Sequence, residues 1–280
     1  MKQKGLRILL IIFIWYGGAA WGVIIQPSVT GNPSVIPLSL SCYDILTYRL
    51  QDCGVALTLS EGTYTGGHAA GHEAGRPLGG LRFYGETGTG NPTLSFRTNY
   101  REVGIQYIAP EVSGSIGLAV SITPIPPRHC VSGCQQHPII LAWIERLSKL
   151  PEGLNLPYMV IRGGADTHPE GTYGTQKTLT RLQAIAGKYF KKTGRKLSVN
   201  DLSLPWGGLF DIQNEWGPPH QTHRFGTDAD INRIDGDGVF TSCPDDEMLE
   251  QSIQEVNRSL SGGKAALKCE QGGYKHVDFY

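Results

Sequence analysis

Two stretches of the chain gather side chains that can hold a metal ion. One is Pro219-His-Gln-Thr-His-Arg-Phe-Gly-Thr-Asp-Ala-Asp-Ile231, and the other is the C-terminal Tyr274-Lys-His-Val-Asp-Phe-Tyr280. In the first, His223 and Asp230 lie seven residues apart, with Gly226 between them. That spacing suits one helix face, but Gly226 and the Thr227–Ile231 pattern predict a loop entering a strand. On such a strand Asp228 and Asp230 share a face, because successive side chains alternate. His276, in the second stretch, adds another imidazole. Two imidazoles and one carboxylate, with a fourth position left to water, are a common ligand set for catalytic zinc. Zinc held in this way lowers the pKa of its water to about 7 and polarises a carbonyl. Each residue also has a plainer reading. A lone histidine is more often a surface or hydrogen-bonded residue, and Asp-x-Asp also occurs in turns and calcium loops.

Other chemistry-bearing residues are less concentrated. Gly67-His-Ala-Ala-Gly-His72 belongs to a glycine-rich stretch that runs to Gly80 and reads as a long hairpin tip rather than a second metal site. His129 and His137 flank a cysteine pair, and His168 sits in an Asp-Thr-His-Pro turn; none of them is assigned chemistry. Trp206, Phe210, Trp216, Pro218 and Pro219 precede the first stretch and suit either a cleft wall or a core. Arg162 and Arg224 are candidates for gripping a substrate carboxylate through two hydrogen bonds.

The elements that must position these residues begin after a leader. Lys2, Lys4 and Arg7 precede the apolar run Ile8–Tyr16, and the small residues Gly17 to Ala20 follow, as at a secretory cleavage site. The run is too short to span a bilayer. Residues 1–22 therefore read as a signal peptide, with an uncleaved anchor as the alternative. No later stretch is apolar enough to cross a membrane. Six cysteines follow: Cys42, Cys53, Cys130, Cys134, Cys243 and Cys269. An even number in an exported chain predicts disulfides and a periplasmic or secreted location. Local pairing would join Cys42 to Cys53, Cys130 to Cys134, and Cys243 to Cys269, although spacing alone does not choose among pairings.

Two composition regimes divide the remainder. From 23 to 127, short β-branched and aromatic runs alternate with turn residues, as in Val55–Leu59, Leu81–Tyr84, Thr93–Arg97, Ile105–Ile108 and Ile116–Ile122. This predicts an all-β sandwich of immunoglobulin-like type. Ile125-Pro-Pro127 reads as a hinge. From 128 to 280 helical patterns enter, which predicts an α+β domain. Helices are expected over Pro138–Leu150, over a stretch capped by Thr175 and stopped by Gly194, and over Asp245–Leu260. Strands are expected near Tyr158–Arg162, Lys196–Leu202, Asp228–Asn232 and His276–Tyr280. The chain holds 37 glycines in 280 residues, nearly twice ordinary usage, which fits many turns and short strands. Basic and acidic residues balance at 25 each, which excludes a strong electrostatic footprint for nucleic acid. Removing the leader takes three bases and no acids, leaving a mild excess of three negative charges.

The string His223-x-x-Gly226-x-x-x-Asp230, followed downstream by His276-x-Asp278, resembles the zinc signature of LAS-type metallopeptidases, whose fold hedgehog signalling domains share. The similarity is closest to the murein endopeptidase branch. There a Ser-Leu-Pro-x-Gly-Gly segment, here Ser203–Gly208, precedes a His-x-x-His-x-x-Gly-x-Asp-x-Asp string, here His220 to Asp230. It covers about Tyr173 to Tyr280 and nothing in the N-terminal half. It implies His223, Asp230 and His276 as zinc ligands and a water-driven attack on a peptide carbonyl. It places His220 at the site, toward substrate or in support of a ligand, and Asp228 as a hydrogen-bond acceptor for a ligand imidazole. Murein endopeptidases carry a histidine two positions before the last ligand, where this chain has Tyr274. Other relatives place a glutamate a few residues before the last ligand. Glu270, six before His276, reads either as the general base or as an exposed residue beside Cys269, with Tyr274 able to donate to the oxyanion.

The resemblance implies a zinc peptidase acting on peptidoglycan, and the leader an exported one; in that case the β domain would position it on a wall polymer or a protein partner. A catalytically inactive, zinc-containing binding module is the alternative, favoured by Tyr274. A peptidase for another peptide substrate is a third reading.

Overall fold

The computed structural model describes residues 22–29, 32–43, 50–68, 75–124, 139–145, 147–161, 170–209, 222–243, 246–270 and 275–280. The chain divides into two compact units, one within Met1–Tyr64 and Gly75–Trp143, the other within Thr65–Ala74 and Ile144–Tyr280. Among the described residues most secondary structure is strand, with two helices. No described helix is long and apolar enough to cross a membrane.

The first unit is built from ten strands: β1 (Gly22–Ile25), β2 (Val35–Leu40), β3 (Cys42–Tyr43), β4 (Leu50–Gln51), β5 (Cys53–Glu61), β6 (Gly80–Phe83), β7 (Thr93–Arg97), β8 (Val103–Ile108), β9 (Gly114–Pro124) and β10 (Ile139–Ala142). One sheet runs β1-β10-β9-β5-β7 and another β2-β8-β6, while β3 and β4 form a small ribbon. All pairs are antiparallel except β1 with β10. Alternation explains the packing. Val55, Leu57 and Leu59 of β5 and Ile36, Leu38 and Leu40 of β2 point inward and share one hydrophobic cluster. Pro37, which has no N–H for a ladder, sits on the edge strand β2 and faces outward. The five strands expected from this half appear, Thr93–Arg97 with the expected ends and the others with ends shifted by at most two residues. The Ile125–Pro127 hinge, Cys130 and Cys134 lie outside the described residues, as does the side chain of Cys42.

The helix expected over Pro138–Leu150 is not formed. Ile139–Ala142 is instead β10, inserted between β1 and β9, with Ile140 and Ala142 buried in the first unit's core. A short apolar run fits either period. Here the two flanking strands, which β10 joins, decide the outcome. Composition changes near 127, yet the first unit continues through Trp143 because β10 completes its larger sheet.

The second unit contains β11 (Leu147–Lys149), β12 (Tyr158–Val160), β13 (Tyr173–Thr175), α1 (Gln176–Thr193), β14 (Leu197–Val199), β15 (Asp228–Ile231), α2 (Glu247–Ser259), β16 (Ala265–Cys269) and β17 (Lys275–Phe279). Its main sheet runs β12-β14-β15-β17-β16, and β11 pairs with β13. Thr175 caps α1 by accepting from the Thr178 N–H, worth about 1 kcal/mol, and Gly194 ends it at φ 70°. Leu179, Leu182, Ile185 and Tyr189 of α1 pack with Leu249, Ile253 and Val256 of α2 and with one face of the sheet. Asn257 of α2 brackets Ala265, donating to its carbonyl and accepting from its N–H, both at 2.8 Å. Cys243 and Cys269 form a disulfide. Gly67, at φ 111°, lies against Pro205 within this unit, and His68 beside it is buried rather than carried on an exposed hairpin tip.

Candidate metal centre

The main sheet of the second unit uses its two faces differently. On β15, Ala229 and Ile231 enter the core beneath the helices, which turns Asp228 and Asp230 to the other side. On β17, Lys275, Val277 and Phe279 face one way, and His276 and Asp278 the other. Antiparallel pairing sets Asp230 opposite His276 and Asp228 opposite Asp278. Three aspartates and one imidazole of the two stretches are thus neighbours by register alone.

His223 arrives differently. It sits in the loop before β15 at φ 64°, a left-handed backbone that side-chain-bearing residues seldom adopt. Asp228 holds it there: its Oδ1 accepts from the His223 backbone N–H at 2.6 Å and lies 2.9 Å from His223 Nδ1. Gly226, at φ 65°, passes so close to β13 that a Cβ would fall 2.9 Å from Gly174 Cα. The Gly226 carbonyl accepts from Thr175 N–H, and that of Arg224 from Gly208 N–H, each at 2.9 Å. The Ser203–Gly208 segment thereby braces the loop that carries His223.

His223, Asp230 and His276 meet, their potential ligand atoms all within 4.8 Å of one another. His223 Nε2 is 3.2 Å from Asp230 Oδ2, and His276 Nδ1 is 2.8 Å from Asp230 Oδ1. Both rings are buried, and the Asp230 side chain remains 24% exposed, so the cluster opens to solvent through its carboxylate. Each ring turns its other nitrogen to a separate carboxylate: His223 Nδ1 to Asp228, and His276 Nε2 to Asp278 Oδ1 at 3.1 Å. Imidazoles backed by carboxylates and aimed at one point are a usual arrangement around a metal ion. The donor set therefore fits a divalent ion with an open position.

The electrostatics describe the metal-free chain. Burial opposes charge on His223, but Asp228 and Asp230 outweigh it and raise its pKa to about 10. Burial likewise opposes charge on His276, and Asp230 prevails to raise it. Burial favours a protonated Asp230, yet the two imidazoles hold it ionised well below the usual carboxylate range. The proton on His223 thus competes for the place that a cation can take. Asp201, whose carbonyl accepts from Asp230 N–H, has its carboxyl pushed up to about 6 by burial, with His223 opposing and Asp230 adding.

Among the other expected site residues, Glu270 is exposed, with Oε1 4.0 Å from His276 Nδ1. Asp228 makes the imidazole contact expected of it. His220 and Tyr274 lie outside the described residues, as do Arg162, Phe210, Trp216, Pro218 and Pro219. Arg224 is buried, and Trp206 half-buried. The contact of Asp278 with His276 was not anticipated, although two-residue spacing on a strand would have signalled it. Nor was the buried Lys275, whose Nζ lies 2.6 Å from both Asp246 Oδ2 and Thr241 Oγ1 on the core side of β17. No protein-family model matches the chain, and no curated protein matches it.

Proposed function

We propose that the chain is an exported zinc peptidase of the LAS type, hydrolysing peptide bonds in peptidoglycan stem peptides or cross-links. The observation that carries this reading is the meeting of His223, Asp230 and His276, each imidazole backed by its own carboxylate. His223 Nε2, Asp230 and His276 Nδ1 hold the ion. Bound there, zinc supplies Lewis acidity toward a peptide carbonyl and acidifies water. Glu270, near the ligating nitrogen of His276 yet exposed, takes the proton from the attacking water and passes it to the departing amine. Tyr274, a hydroxyl donor where murein endopeptidases have histidine, donates to the oxyanion, and His220, by the resemblance, orients substrate or supports a ligand. Asp228 and Asp278 keep the two rings aimed. The first unit, read as an immunoglobulin-like sandwich, attaches the enzyme to a wall polymer or a protein partner.

Metal analysis and murein digestion test this together. The purified protein should carry about one zinc per chain, and His223→Ala should carry little. Zinc-loaded protein should deplete cross-linked dimers from purified sacculi, while Glu270→Gln keeps its zinc and loses turnover. Equal metal in the wild type and His223→Ala would refute the site. Full zinc content with unchanged sacculi would refute the peptidase and leave a zinc-containing binding module.

A further inference from the structure

We infer that Asp278 is a positioning residue of the metal centre, which, aided by Lys268, keeps the His276 proton on Nε2 and presents Nδ1 to the ion. This rests on the metal reading above and adds a specific tautomer and the residues that enforce it. A neutral imidazole carries one N–H, and an ionised carboxylate can only accept. In the metal-free chain both ring nitrogens face carboxylates, Nε2 at 3.1 Å from Asp278 Oδ1 and Nδ1 at 2.8 Å from Asp230 Oδ1. An ion shared by Nδ1 and Asp230 would take the Nδ1 lone pair and leave the one N–H on Nε2, directed at Asp278.

The strand explains why this nitrogen is chosen. Nδ1 is the ring nitrogen nearer the backbone, so it reaches the residue directly opposite, Asp230. The far nitrogen extends along the same face of β17 to Asp278, two residues on. Lys268, opposite His276 on β16, pairs with the second oxygen of Asp278 and so fixes the carboxylate's rotation. The loop-borne His223 uses its nitrogens the other way, with Nδ1 on Asp228 and Nε2 toward Asp230. One ion is thus approached through different nitrogens of two rings, each choice imposed by an aspartate, and the two aspartates lie opposite one another in the β15–β17 ladder.

Nitrogen-15 NMR of the zinc-loaded protein reads the tautomer without reference to catalysis. His276 should show a protonated Nε2 and a metal-shifted Nδ1; the reverse assignment would overturn the inference. Chelator competition supplies the second readout. Asp278→Ala should bind zinc about 10- to 100-fold more weakly, Asp278→Glu should recover part of the loss, and Lys268→Met should lose less than Asp278→Ala. Matched melting of the metal-free proteins would separate these losses from a general effect on the fold. If Asp278→Ala does not fold, Asp278→Asn, which keeps the shape and one acceptor, should still weaken zinc several-fold. Wild-type affinity in these Asp278 variants would overturn the positioning role alone. A wild type that binds no zinc would overturn it together with the metal reading.

Discussion

His223 and His276 reach the same aspartate from opposite kinds of backbone. His276 stands on β17, where pairing with β15 and β16 fixes its place residue by residue. His223 stands on a loop in a left-handed conformation, tied down by Asp228 and by a glycine that touches β13. The strand delivers its ligand through ordinary ladder bonds and a core beneath it. The loop delivers its ligand through local strain, held by one carboxylate and the close packing of Gly226. A strand ligand should therefore be sensitive to what lies on the core side, and a loop ligand to what lies within a few residues.

The strongest test of that contrast is Lys275. It is buried with Asp246 behind β17, while the pair lies far in sequence from the loop. Lys275→Met leaves Asp246 without its cation and should destabilise the protein by about 3–5 kcal/mol in denaturant unfolding. Lys275→Met combined with Asp246→Leu should regain much of that. A loss below 1 kcal/mol in the single variant would show that the strand does not depend on the pair.

On the loop side, Asp228→Asn keeps size but removes the charge that serves both the His223 N–H and its ring. Zinc affinity should fall roughly 10- to 100-fold, with denaturant stability of the metal-free protein changing far less than in Lys275→Met. Unchanged affinity would mean that the loop holds His223 without Asp228.

The pH dependence separates this site from an ordinary histidine site. In the metal-free chain His223 keeps its proton up to about pH 10, and that proton competes with the ion. Apparent zinc affinity should thus keep rising by about tenfold per pH unit between pH 7.5 and 8.5. A histidine with the usual pKa of about 6.5 would already have levelled off. Chelator competition across this range decides, and a flat profile contradicts the coupling of His223 to its two aspartates.

The smallest effect is the most specific. Glycine accepts a left-handed backbone freely, so metal-free His223→Gly should be about 1 kcal/mol more stable than His223→Ala. At His276 the order should reverse, because glycine weakens a strand interior by about 0.5–1 kcal/mol relative to alanine. The same sign at both positions would erase the distinction between loop and strand.

What could be read from the sequence follows the same division. Helix α1 was legible to its caps, since Thr175 and Gly194 act locally. Asp230 and His276 were legible because alternation on a strand and the resemblance to a zinc signature agreed. Ile139–Ala142 was misread as helix because its partners, β1 and β9, lie far off in sequence, and periodicity cannot report them. β16 went unseen because Ala265-Ala-Leu-Lys-Cys269 has little strand character of its own and owes its pairing to β17 and the Asn257 bracket. The left-handed φ of His223 had no signal, since glycine is the usual mark of such a backbone. The Lys275–Asp246 pair spans two elements whose meeting only the fold decides.

The alternation of β17 has a consequence for how misfolding would show itself. A slip of one residue against β15 would turn Lys275, Val277 and Phe279 outward and send His276 and Asp278 into the apolar layer. The same slip would move Cys269 out of register with Lys275 and withdraw His276 from Asp230. A bound cation would therefore serve as a proofreading mark, since only a correctly threaded C-terminal strand could retain it.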